Sequence, residues 1–265
     1  MCFLVVSRAE QLEEHKRIAD EYGTGFEIND FFEPDILDDE NRIKELIEYY
    51  LQVGIPKNST MHGAFLDVTV FSQDEKIRKI SEQRMEQSME IAGRLGVKGI
   101  VFHTNYNPIL EGKEYDDRVV EFTAAFLKKL LERYPKLDIY LENMFDRTPD
   151  ILKKISDRLS GYANYGVCFD YAHASIYSED MESFVAAISG YVKHIHINDN
   201  DLIHDLHLAV GDGMLDWEWF KDCYRQYFAG CSVLIETALA GNQRKSLEYM
   251  QSKIHLITED RNGGI

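Results

Sequence analysis

The chain has 265 residues, 45% of them hydrophobic, and a formal net charge of −17. Its size and apolar content suit one large α/β domain spanning residues 1–265, and no apolar run approaches the ~20 residues a bilayer crossing needs. The acid excess argues against a dominant phosphate-binding surface, because affinity for nucleic acid comes largely from clustered Lys and Arg.

Along the chain one pattern recurs: a short apolar strand, a turn, then a stretch of helical period. The first strand is "FLVVS" (3–7). The preceding residues lack a basic leader and "SRAEQLEEHKR" follows at once, so the start does not read as a signal peptide. "GFEIN" (25–29) and "STMHGAF" (59–65) come next, and Met85, Met89 and Ala92 then repeat at helical spacing before Gly96, a suitable left-handed cap. "GIVFH" (99–103) precedes a helix marked by Val119, Thr123, Phe126 and Leu130, which "RYPK" ends. "DIYLEN" (138–143), "GVCFD" (166–170) and "VKHIHIN" (192–198) follow. Asp216 reads as the N-cap of a helix beginning "WEWF", with Trp217 and Trp219 packing it inward, and "SVLIET" (232–237) is the eighth strand. Eight strands alternating with helices predict a closed (β/α)8 TIM barrel. An open doubly wound sheet would usually carry a glycine fingerprint after its first strand, and "FLVVSRAEQ" has none. Cys2, Cys168, Cys223 and Cys231 show neither metal-knuckle nor disulfide spacing, which fits a reducing cytoplasm.

His62 lies late in its strand, and His103, Glu142, Asp170, His196 and Glu236 each lie at or near the carboxyl end of theirs. Phe102, Leu141, Phe169, Ile195 and Ile235 precede the last five, so the polar member of each pair points into the barrel and the apolar member toward the helices. All carboxyl ends of a parallel barrel open on one face. Three carboxylates and three imidazoles converging there would repel and desolvate one another unless a cation sat among them. Ligation by His, Asp and Glu without thiolate suits Mn, Mg, Co or Zn. His194 shares the face of His196 one layer deeper, and His204 falls on the loop surface.

"HGAF", "VFHTN", "YLENM", "CFDYAH", "HIHINDND", "DLHLAVGDGMLDW" and "IETA" occur in an order that resembles the xylose-isomerase-like superfamily of TIM barrels, which includes sugar isomerases and epimerases, sugar-acid dehydratases and endonuclease IV. Resemblance to the ketose 3-epimerases implies one divalent metal on Glu142, Asp170, His196 and Glu236, with Glu142 and Glu236 as the acid/base pair and His173 touching substrate. His62 and His103 would then be free to contact the sugar. Glu27, at the second strand, is a candidate either to hydrogen-bond a substrate hydroxyl or to play an ordinary structural role. Resemblance to endonuclease IV implies a multinuclear set: His62, His103, Glu142, Asp170, His173, His196, Asp205, His207 and Glu236.

The expected reaction is therefore isomerisation or epimerisation of a sugar or sugar phosphate through a metal-stabilised enediolate. The alternatives are a multi-metal phosphodiesterase acting on abasic DNA and a sugar-acid lyase. The acidity, and the lack of a loop mixing basic residues with apolar wedges, favour a small-molecule partner over nucleic acid. Tyr106, Phe145 and Tyr171 follow strand ends and are expected to wall the pocket, and Asn242 and Arg244 precede a helix start that would suit a phosphate. A homo-oligomer is compatible with everything above.

Overall fold

A computed structural model describes residues 2–65 and 67–254. Its eight strands are β1 (Cys2–Ser7), β2 (Gly25–Ile28), β3 (Thr60–His62), β4 (Gly99–His103), β5 (Asp138–Glu142), β6 (Tyr165–Asp170), β7 (Val192–Ile197) and β8 (Ser232–Ile235). Each pairs in parallel with its sequence neighbours, and β8 returns to β1, so the sheet closes. The fold is a (β/α)8 barrel.

Strand parity explains where the apolar mass goes. Phe26, Met61, Phe102, Leu141, Phe169, Ile195 and Val233 face outward and join the large core between sheet and helices. Among the described residues, the barrel interior holds two small apolar groups, Leu4, Val6 and Leu234, and Val101, Tyr140 and Cys168. The remaining inward positions of β2 to β7 carry the polar residues. Side chains fill such an interior in layers, and here the top layer is the ring of ligand-type groups.

The expected helices form for the expected reasons. Gly96 (φ 70°) closes Glu75–Leu95 by donating to Ala92 O, and Met85, Met89 and Ala92 are buried. The helix Lys113–Arg133 buries Val119, Thr123, Phe126 and Leu130. Asp216 caps Trp217–Tyr227 by accepting from Trp219 N at 2.9 Å. Five strands are shorter than their sequence patterns, β2, β5 and β7 by one residue each and β3 and β8 by more. β3 stops at His62, and the next residue, Gly63, packs so that a Cβ would lie 2.2 Å from the Phe102 ring, a close approach only glycine permits. β8 stops at Ile235, leaving Glu236 just beyond the sheet, its N–H still bonded to Ile197 O. No helix among the described residues is long and apolar enough to cross a membrane.

Candidate metal centre

The register sets donors side by side: His103 opposite Glu142, and Asp170 opposite His196. Glu142, Asp170, His196 and Glu236 each offer an atom within 4.8 Å of the others, and so do His62, His103 and Glu142. Glu142 belongs to both groups. Its Oε2 lies 3.3 Å from His103 Nε2 and 3.7 Å from His62 Nε2, while Oε1 lies 3.2 Å from His196 Nδ1. A third cluster comes from the loop after β7: Asp205 Oδ2 is 3.3 Å from His173 Nε2 and 2.9 Å from His207 Nε2. All nine residues proposed for a multinuclear set therefore surround one mouth.

The imidazoles are held from behind. His62 Nδ1 donates to Gly63 O at 2.9 Å, His173 Nδ1 to Asn143 O at 3.0 Å, and His207 Nδ1 to Glu236 O at 2.9 Å. A carbonyl oxygen only accepts, so each Nδ1 carries a proton, and in the neutral ring each Nε2 presents a lone pair. Those lone pairs face carboxylates. A proton or a cation must lie between them. Rings fixed through one nitrogen with the other aimed at carboxylates are what a metal site requires. Both oxygens of Glu142, Oδ2 of Asp170, Oδ1 of Asp205, Oε2 of Glu236 and Nδ1 of His196 are buried without a hydrogen-bond partner. Buried polar atoms are otherwise nearly always paired, so the donor set fits a divalent ion.

The protonation tendencies agree with this. Against the opposing push of burial, Asp170, Asp205 and Glu142 raise His173 well above the ordinary imidazole range. His196 is likewise well above it, and His207, facing Glu236 and Asp205, is pushed up to about 10. Burial, with repulsion from Glu236 and Glu142, raises Asp170 well above the carboxylate range. Glu142, although buried, is held well below it by His196 and His103.

Glu27 does not reach the mouth. Its carboxylate is fully buried one layer down, 3.2 Å from His196 Nε2 and 3.2 Å from His194 Nε2, and accepts from Thr60 Oγ1 at 2.7 Å. It therefore cannot meet a substrate hydroxyl as expected; it braces the rings above it. Tyr171 also departs from expectation: it is buried, stacks on Trp219 and donates to Asp216 O at 2.8 Å. Tyr106 and Phe145 line a neighbouring cavity and not the metal pocket. Arg244 lies inside the helix Ala240–Tyr249 and pairs with Glu21 at 2.6 Å, away from any phosphate cradle. His204 is exposed beside Asp201, and Trp217 is buried, as expected.

The metal pocket itself is a cavity of about 400 Å³, and Arg8, Asn29, Phe32, Phe65 and Met144 join the ligand residues in its wall. Sequence reasoning missed these five. Arg8 had a signal, since it directly follows the carboxyl end of β1.

A sequence profile of the xylose isomerase-like TIM barrel family matches residues 17–253. A probable endonuclease 4 of Mycobacterium leprae is 25% identical over 206 residues, 73% of this chain and 77% of its own length. Among solved structures, a Thermus thermophilus protein, TTHB071, soaked with ZnCl2, superposes with a TM-score of 0.76 at 22% identity, covering 95% of this chain and 97% of that one. A D-tagatose 3-epimerase-like protein gives the same score and identity over 97% and 98% of the two chains. With the profile matched from the first helix to the last, the chain belongs to the xylose isomerase-like TIM barrel family.

Proposed function

We propose that this protein is a divalent-metal enzyme that hydrolyses a phosphoester on a small, sugar-sized substrate. The observation that carries this reading is the double engagement of Glu142, whose two oxygens face separate donor groups. A carboxylate committed on both sides would hold two ions in place and keep no oxygen free to carry a proton to substrate. Ions held there would supply Lewis acidity to a phosphoryl group and lower the pKa of a water. Arg8, the one Lys or Arg in the described pocket wall, lies over the Phe32 ring at 5.5 Å and is positioned to meet anionic oxygen that the ions leave unpaired. Phe32, Phe65 and Met144 shield the mouth from bulk water. A cavity of about 400 Å³ suits a small ligand, and a net charge of −17 disfavours an extended polyanion.

A second reading, sugar isomerase or epimerase, is favoured by a different observation: Glu142, Asp170, His196 and Glu236 form a complete four-residue group by themselves. With one ion on that group, Glu142 and Glu236 would withdraw and return a proton beside a carbonyl. The likeness to a D-tagatose 3-epimerase-like protein supports it.

Metal content per chain, with hydrolysis of 4-nitrophenyl phosphate and bis(4-nitrophenyl) phosphate, separates the two. The expected result is two or three ions and hydrolysis reduced about 10–100-fold in His62→Ala and in Asp205→Ala, the scale of loss for a disturbed metal site. One ion per chain, with conversion of D-tagatose and no ester hydrolysis, would overturn the first reading in favour of the second.

A further inference from the structure

Beside the metal pocket lies a second cavity of about 540 Å³. The two share Phe65 and Met144 as walls. Those two residues touch the candidate metal-binding rings: Met144 Sδ is 3.3 Å from His103 Nδ1, and the Phe65 ring lies 4.7 Å from the His103 ring and 5.1 Å from that of His62. On its far side the annex is walled by aromatic residues that follow separate strands, Tyr106 and Phe145 in the loops after β4 and β5 and Tyr177 at the end of the helix Tyr171–Tyr177 after β6. Phe145 and Tyr177 meet edge to face at 5.2 Å, and Phe145 remains 39% exposed. Polar clamps hold these loops in place before any ligand arrives. Asn105 Nδ2 donates to Phe65 O at 3.0 Å and Val68 O at 2.7 Å, tying the loop after β3 to the loop after β4. Asp146 accepts from Thr104 Oγ1 and from Met144 N, each at 2.9 Å, tying the loops after β4 and β5.

Aromatic walls favour a planar ring, which can stack on one and meet another edge-on. Asp67, Asn107 and Arg147 at the rim offer both donors and acceptors to a ring with a polar edge. We propose that the substrate carries an aryl or heteroaryl ring on the alcohol side of its phosphoester, held in this annex by Phe65, Tyr106, Phe145 and Tyr177 while the phosphoryl group lies over His62 and His103. Hydrolysis would break the phosphorus–oxygen bond, the water oxygen going to phosphorus and a water proton to the departing alcohol. The link between the two cavities rests on the phosphoester reading, whereas the annex as an aromatic site does not.

Two probes distinguish these claims. Benzyl alcohol, titrated into full-length protein labelled with [methyl-13C]methionine, is followed through the Met144 methyl, assigned with Met144→Leu; because Met144 also lines the metal pocket, Phe145 and Tyr177, which line only the annex, locate the binding. A saturable shift that weakens at least about fivefold in Phe145→Ala and in Tyr177→Ala supports the aromatic site, and no shift overturns it; the other methionine methyls report that each variant is folded. Phenylphosphonate and methylphosphonate, which are not hydrolysed, are then compared by calorimetry on metal-loaded protein. Burial of the ring should make the phenyl compound bind about tenfold tighter, and that preference should fall below about threefold in Phe145→Ala. Equal affinity for the two phosphonates overturns the shared substrate. Binding of benzyl alcohol with neither phosphonate bound overturns the phosphoester reading and supports the annex.

Discussion

Glu27 and Asp146 are both buried carboxylates, the first bearing on the donors of the mouth and the second on the stability of the fold. Glu27 contacts the rings of His194 and His196 at 3.2 Å, and His194 is anchored in turn by Ser232 Oγ at 2.7 Å. This brace turns His196 Nδ1 toward Glu142, Asp170 and Glu236. A carboxylate behind a ligating imidazole fixes the ring and raises its basicity, and its loss weakens metal binding by about 10–100-fold. Glu27→Gln should therefore lower divalent-metal affinity by that factor in chelator competition while leaving the far-ultraviolet circular dichroism unchanged; equal affinity would show that the brace does not act on the metal. Asp146 is a matter of stability. Burial pushes its carboxyl up to about 6 from an ordinary 3.8. Because the folded state holds this proton more tightly, stability is highest below 3.8, declines as pH rises to about 6, and stays lowered by roughly 3 kcal/mol above that. In urea titrations at pH 3.5 and 7.5, Asp146→Asn should change its stability relative to wild type by roughly that amount in its own favour at the higher pH. A constant difference across the range would place the titration elsewhere.

At the scale of the element, the loop between β7 and the helix Trp217–Tyr227 carries the third donor cluster, and Asp199 holds it together. Its carboxylate accepts from Asn200 N, Gly211 N, Leu215 N and Trp217 Nε1, at 2.9 to 3.1 Å. Gly213 must be glycine, because a Cβ there would lie 2.2 Å from Asp199 Oδ1, and Gly211 adopts φ 88°. Within this loop His207 itself takes φ 48°, a conformation rare outside glycine and one that turns its ring back over Glu236. Asp199→Asn replaces acceptors with an amide that opposes two N–H groups, and should destabilise the metal-free protein by roughly 2–4 kcal/mol. It should also reduce bound metal by one ion per chain, since Asp205 and His207 lose their support; undiminished metal content would show that the loop orders itself without Asp199. The strands and helices were legible in the sequence because burial on one face imposes a period, and Phe102–His103 or Leu141–Glu142 states that period in two residues. Asp205 and His207 have no period to betray them and were reached only through family resemblance. The depth of Glu27 was hidden, because the layer a residue occupies depends on the stagger between strands. The annex was hidden because segments following four different strands build it.

The whole molecule gathers Glu142, Asp170, Asp205 and Glu236 at one mouth, with Glu27 beneath, in a chain whose formal net charge, these carboxylates included, is −17. Protons on His173, His196 and His207 offset that charge when no ion is bound. These imidazoles have folded-state values above the ordinary 6.5, so their protons stabilise the metal-free fold fully below that value. The contribution is lost as pH rises, reaching about 10 for His207. Metal binding runs the other way, because the same nitrogens must be deprotonated to ligate. The melting temperatures of metal-free and zinc- or manganese-loaded protein should thus diverge as pH increases, with protons released into solution on loading. At a hundredfold excess over Kd each ion adds about 2.7 kcal/mol, and for a chain of this length each kcal/mol raises Tm by about 2–4 °C. One ion should therefore raise Tm by roughly 5–10 °C near pH 7.5, additional ions should raise it further, and the gap should shrink toward pH 5.5. The measurement needs constant ionic strength, since salt alone screens the self-repulsion of an acidic chain. A Tm gap that is absent, or that narrows as pH rises, would mean that the converging carboxylates and imidazoles satisfy one another by proton sharing alone and that the mouth does not bind metal.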